Sequence, residues 1–299
     1  MKFASLLWNR LPVVLRAIVN GLLVLFFGAL AWTAMLVINL KLTSSVPWAA
    51  GTLVLFLWIY WHYLNGAGWP RSTAQARHTN FRAHQLSGRT WFWALMTGAT
   101  ALAGAVALQG VFERLVRIPP LPFTNLSQYP STTVLVVLLA AAAEAGIVEE
   151  AAFRGYMQAP IERRYGPGIA VAVVAVVFGC SHLANGFHEL LWLPVYFLVG
   201  VILGVVAYLT NSILPGMVLH ASLDAFRFLT AWRRGAVRQE RLIWVSGADA
   251  SFWTSLAAAV IFGVVAVWAY KKLAVVARSG VRPSRAMSGQ EGPLSAGRM

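Results

Sequence analysis

Cysteine, acid and charge of either sign are all scarce in this chain. Cys180 is the single cysteine in 299 residues, so no disulfide can form within the chain and no CxxC redox or metal motif exists. Set in an apolar run, Cys180 reads as a small buried hydrophobe. No HExxH zinc motif occurs, and no internal repeat of fixed period is visible. Charged residues make up 11% of the chain, against about a quarter in soluble domains, which excludes an ordinary water-soluble fold. The charge that remains is lopsided: 24 Lys and Arg against 10 Asp and Glu, a formal net charge of +14. A basic surplus of that size can serve nucleic acid. Here, however, the cations lie between and beyond apolar runs, where they act as topology signals and as contacts to membrane lipids. No nucleic-acid partner is expected.

What the sequence has in excess is apolar residues, 59% of the total with a mean hydropathy of +0.66, the composition of a polytopic membrane protein. Apolar windows of about 17 to 23 residues, each long enough to cross a bilayer, fall at roughly 18–40, 46–64, 91–112, 132–153, 167–183, 190–209, 213–229 and 252–270. The expected fold class is therefore all-α, with about eight transmembrane helices. The seventh window is short, holds His220 and Asp224, and is the least secure by hydropathy. Lys2, Arg10 and Arg16 precede an apolar stretch that continues to Leu40, which favours a retained anchor over a cleaved signal. Residues 1–276 read as one transmembrane domain, and 277–299, mixing Gly, Ser, Pro and Arg, as a disordered tail.

Orientation follows from the cations. Arg71, Arg77, Arg82 and Arg89 mark the loop after the second window as cytoplasmic, and Arg163, Arg164, Lys271 and Lys272 fall on the same side. The connection 230–251 disagrees: it carries Arg233, Arg234, Arg238 and Arg241, yet eight crossings place it outside. Either the seventh segment does not cross fully, or this loop escapes a statistical rule.

Three of the apolar segments carry polar groups that hydropathy does not require. The fourth ends in Glu149-Glu150-Ala151-Ala152-Phe153-Arg154. A carboxylate at membrane depth faces other helices or a wet cavity, so two adjacent acids mark a site. Residues four apart share a helix face, and Glu before Arg is the favourable order. Glu150 therefore pairs with Arg154 and stays ionised. Glu149 points about 100° away, towards no local cation, and reads as the reactive acid suited to general-base work. The basic loops place this pair at a cytoplasmic helix end. The fifth window closes on Phe178-Gly179-Cys180-Ser181-His182, and the seventh holds His220-Ala221-Ser222-Leu223-Asp224, again with His and Asp on one face. Convergence of the three would activate a water and stabilise a developing oxyanion. Each also has a bland reading: a helix-packing histidine at His182, a structural Glu150–Arg154 pair, an interfacial cap at His220 and Asp224. Glu144 lies at a helical angle away from Glu149 and takes no role. His188 and Glu189 read as a solvated loop.

Taken together, EEAAFR (149–154), FGCSH (178–182) and HASLD (220–224) resemble the EExxxR, FxxxH and HxxxN signature of the CAAX protease and bacteriocin-processing (Abi) family of intramembrane proteases. The motif-bearing core covers about residues 130–230, and the basic loop before it is also similar to bacterial members. The resemblance implies an active site among helices 4, 5 and 7. In it Glu149 is the base on a water, His182 helps to hold that water, Glu150 and Arg154 organise the site, and His220 and Asp224 support the oxyanion. It implies no essential cofactor. If a divalent metal such as zinc is used instead, Glu149, His182 and His220 are its ligands. The chain departs from the pattern at Asp224, because an asparagine amide donates a hydrogen bond whereas an ionised aspartate only accepts.

The expected function is thus an endopeptidase of a bacterial inner (plasma) membrane, cutting a protein or peptide substrate near the cytoplasmic face. A prenylated CAAX substrate is not expected for a bacterial chain. A proton-coupled transporter would use the same intramembrane acids and histidines, but usually shows an internal repeat. A catalytically inactive scaffold is the third reading.

Overall fold

The computed structural model describes residues 8, 10–117, 126–234 and 241–280. A helix occupies every expected window: α1 (Val13–Leu42), α2 (Trp48–Leu64), α4 (Gly88–Leu115), α5 (Ser131–Glu150), α7 (Pro167–Ser181), α8 (Leu193–Thr210), α9 (Leu214–Arg234) and α11 (Ala250–Gly280). Short helices α3 (Ala74–Phe81), α6 (Ala159–Tyr165) and α10 (Ile243–Ser246) fill the connections, and no strand occurs among the described residues. Prolines set several starts: Pro12, Pro47 and Pro130 stand immediately before α1, α2 and α5, and Pro167 opens α7, where a missing N–H costs nothing. By length and composition, 6 helices can cross a membrane. The two expected windows outside that set are α2, apolar but only 17 residues long, and the polar α9. The chain is a multi-pass membrane protein.

Close approach of helices rests on glycine, as is usual where lipid supplies no hydrophobic drive. Gly28 of α1 takes the side chain of Val148, and Gly21 meets Met157 and the Ala152 carbonyl oxygen, leaving no room for a Cβ at either position. Gly98 of α4 accommodates Leu219 in the same way. These contacts press α1 and α4 onto the two helices that carry the acids and His220.

The basic loop is more than a topology marker. Arg77 is buried and donates to the carbonyl oxygens of Gly66, Ala67 and Gly68 in the turn that follows α2. Arg82 is buried as well: it forks onto Glu162 with both Nη–O distances 3.1 Å, and reaches the Ala207 carbonyl and Asn211 Oδ1. Two of the four loop arginines therefore tie the ends of α2, α6 and α8 together.

The structure also decides the fate of the seventh segment. At its start the Ile213 N–H donates to the Arg82 carbonyl, while Phe226, Leu229 and Arg233 near its end line a groove with Ser131, Thr132 and Leu135 at the start of α5. So α9 runs antiparallel to α5 from the basic-loop end to the opposite end. There Arg114, at the end of α4, binds Asp249 at 2.7 Å together with Ser251, Ser246 and the Gly247 carbonyl. The described part of the arginine-bearing connection thus lies opposite the basic loop, as eight crossings require. Arg238 falls outside the described residues.

Two expectations need correction. Cys180 is exposed on the outer face of α7 rather than buried, because Phe178 and Gly179 take the inward positions. Residues 277–280 of the expected tail are helical, since α11 runs on to Gly280; the rest of it, 281–299, lies outside the described residues.

Candidate active site

Glu149 and Glu150 do not end a helix. After α5 the chain continues through a π-helical segment, Ala151–Gln158, and then through α6 to Tyr165, so that about 22 Å of helix follows Glu150 at 1.5 Å per residue. Every residue of that segment is buried, and π-helical turns concentrate at functional sites. Arg154, just past the expected window, can stay inside because its charge and both Nη groups are met, although Nε is buried without a partner. Nη1 donates to Glu150 Oε1 at 2.7 Å, Nη2 to the Gly200 carbonyl at 3.2 Å, and the guanidinium stacks 4.8 Å over Phe178. Both partners of this ion pair are fully buried.

Glu150 in turn holds His220. The imidazole Nδ1 lies 3.0 Å from Glu150 Oε1, the oxygen that also receives Arg154. A carboxylate only accepts, so Nδ1 carries the hydrogen, and the ring's other edge is directed by default. His220 Nε2 sits 3.6 Å from Asp224 Oδ2 and 3.8 Å from Glu149 Oε2, close to both acids but beyond direct bonding with either. Gly216, one turn before His220, makes room for the Glu150 carboxylate; a Cβ there would collide with Oε2.

His182 comes in from the end of α7. Its Nδ1 donates to the Phe178 carbonyl at 2.9 Å, and in the neutral ring this leaves Nε2 as an acceptor. The ring stacks on Tyr196 with centroids 3.8 Å apart and meets Phe178 edge-on at 5.0 Å. His182, His220, Asp224 and Arg154 all lie within electrostatic reach of Glu149, whose Oε2 is buried and accepts no hydrogen bond from the protein. All six residues singled out in the sequence therefore lie in one neighbourhood, spread over α5 with its π extension, α7 and α9.

Tyr196, Glu189 and Gly216 were not singled out in the sequence as site residues. Tyr196 sits in an apolar run, yet its ring supports His182 and its hydroxyl donates to Glu189 Oε2 at 2.6 Å. Glu189, expected to be solvated, is buried beneath that hydroxyl. Phe178 packs between His182, His220 and Arg154, which accounts for a large aromatic four residues before the histidine. Gly216 could have been found, because it lies four residues before His220 on the same face. Glu144, given no role, is buried within electrostatic reach of Glu149, Asp224 and His220.

Glu149, His182 and His220 do not fit a metal as they are placed. No group of three or more His, Cys, Asp or Glu among the described residues has ligating geometry, although each imidazole keeps Nε2 free of protein hydrogen bonds.

Residues 130–226 match the model of the Rce1-like family, described as type II CAAX prenyl endopeptidase Rce1-like. No curated protein and no solved structure matches. The matched segment spans all three motifs. Its family supports protease activity on a peptide or protein in a membrane setting.

Proposed function

We propose that this membrane protein, Rce1-like in its motif-bearing segment, is an intramembrane endopeptidase in which Glu149 activates a water. The observation that carries the reading is the way His220 is held. Nδ1 is fixed by Glu150 and the buried Arg154, and Nε2 is presented between Glu149 and Asp224. Nothing in helix packing asks for an imidazole clamped at one nitrogen and aimed at two acids with the other.

In the proposed reaction a water lies against Glu149 Oε2 and the acceptor Nε2 of His182. Glu149 takes one proton as the oxygen attacks the peptide carbonyl, and a tetrahedral oxyanion forms. His220 Nε2, protonated, donates to that oxyanion, and its positive charge is balanced by Glu150 and Asp224. The C–N bond breaks as Glu149 returns its proton to the leaving amine, which regenerates the carboxylate. Asp224 then serves by orienting and balancing His220 rather than by donating itself. The basic loops keep the proposed cut towards the cytoplasmic face, although the helix runs on through α6 beyond the acids.

The test is cleavage of a fluorogenic peptide library by the purified protein in lipid nanodiscs. Glu149→Ala and His182→Ala should each lose about 10² to 10⁴ in rate. Ion or solute flux without cleavage would favour a carrier. Activity that vanishes with a strong chelator and returns with zinc would overturn the metal-free reading.

A further inference from the structure

We propose that the groove between the start of α5 and the end of α9 binds one anionic phospholipid, with its phosphate on Arg233 and an acyl chain between the two helices. The groove encloses about 480 Å³, within the range of ligand sites. Its lining changes from apolar to polar in the same direction along both helices. Leu135, Phe226 and Leu229 lie towards the interior, whereas Ser131, Thr132 and Arg233 lie at the helix ends. Arg233 is exposed and forms no ion pair or hydrogen bond among the described residues, and the hydroxyls of Ser131 and Thr132 are likewise without one there. No carboxylate lines the groove, and no acid stands in the first turn of α5. The one acid of α9, Asp224, lies nine residues back, about 14 Å at 1.5 Å per residue, and faces His220. The cation at the rim therefore has no counter-charge of its own.

The position of the groove identifies its occupant. Here α5 begins and α9 ends, at the end of the bundle opposite the basic loop, and a tryptophan beside an arginine, Trp232 and Arg233, is a pairing suited to headgroup level. What fits must offer an anion at the rim and hydrocarbon inside, and a phospholipid offers both in one molecule. The guanidinium takes phosphate oxygens through parallel N–H donors, and the two hydroxyls can donate to those that remain. A lipid held by residues of both helices braces α5 against α9, the elements that carry Glu149, Glu150 and His220. This contact lies on the face away from the basic loop, where the distribution of cations along the sequence gives no reason to expect a lipid site. It does not depend on the endopeptidase reading.

The test uses the full chain, purified and delipidated in an uncharged detergent. Phosphatidylglycerol with a dye at the end of one acyl chain is titrated with the protein and read by fluorescence anisotropy. Binding should saturate. Unlabelled phosphatidylglycerol should displace the probe about fivefold better than phosphatidylcholine of the same chains, whose choline cancels the phosphate charge. Arg233→Gln should erase that difference, and Arg233→Lys should keep part of it, since the charge stays while the fork is lost. Leu229→Trp, which fills the apolar part of the groove, should weaken both lipids. Arg89→Gln, at an exposed arginine of the basic loop, should leave the preference intact. Equal displacement by the two lipids overturns the proposal. So does a preference lost as fully in Arg89→Gln as in Arg233→Gln, which would mean general charge attraction. Displacement by inorganic phosphate at the same concentration as phosphatidylglycerol would leave Arg233 to a free anion. Displacement by an uncharged apolar helical peptide would give the groove to a protein segment, and either result refutes the phospholipid.

Discussion

Arg154 shows how one side chain can hold a site together. Its guanidinium is fully buried, and Glu150 is the carboxylate it bonds directly. Removing one partner of such a pair leaves an uncompensated charge, typically at a cost of about 3–5 kcal/mol. Arg154→Met should therefore lower the thermal unfolding midpoint sharply and release His220. The double variant Arg154→Met with Glu150→Gln should recover part of the stability but none of the activity. Asp224 should behave differently. It lies 3.6 Å from His220 Nε2 and is partly exposed, so Asp224→Asn keeps a polar group of the same shape there. That variant should retain cleavage within about tenfold, the lower bound of a general-base effect being about a hundredfold; complete loss would point to a carboxylate-specific role. The Glu150–Arg154 pair was legible from a spacing of four. The part played by Tyr196 and Glu189 was not, because it depends on where α7 ends against α8, a contact with no local sequence signature.

At the scale of the element, α9 must press against α5 with a glycine at the crossing. A Cβ on Gly216 would meet the Glu150 carboxylate, and overpacking a tight contact costs about 1–3 kcal/mol. Gly216→Ala should reduce both stability and activity, whereas Gly263→Ala, on a helix face open to its surroundings, should change neither. A thermal shift assay run beside the cleavage assay separates the two. The helical windows themselves were readable, since bilayer thickness sets their length. The extent of α5 was not. Arg154 looked like a terminus because an arginine in hydrocarbon is costly, but tertiary contacts from Glu150, Phe178 and Gly200 remove that cost and let the helix continue to Tyr165.

Across the whole molecule, the described part of the arginine-bearing connection and the basic loop lie at opposite ends. In a Cys180→Ser background, cysteines placed at Arg71 and at Trp244 should be labelled by an impermeant maleimide from opposite sides of sealed vesicles. The far end is secured by Arg114 on Asp249, whose carboxyl is held below the usual range, first by the hydrogen bond from Arg114 and then by Ser251 and the Phe252 N–H. A folded value below the unfolded one means that this contact stabilises above about pH 4 and loses its contribution as pH falls further. The gap in unfolding midpoint between wild type and Asp249→Asn should be present at neutral pH and should close in acid. By itself the sequence determined a membrane-embedded helical chain and a set of six polar residues, because apolar length and the cost of buried charge are local properties. Only the tertiary structure decided that α9 runs antiparallel to α5, that His220 is clamped at one nitrogen, and that Glu150 and Arg154 are buried together. Each of those depends on which groups meet far apart along the chain, as His220 and Glu150 do across 70 residues, a choice made by packing.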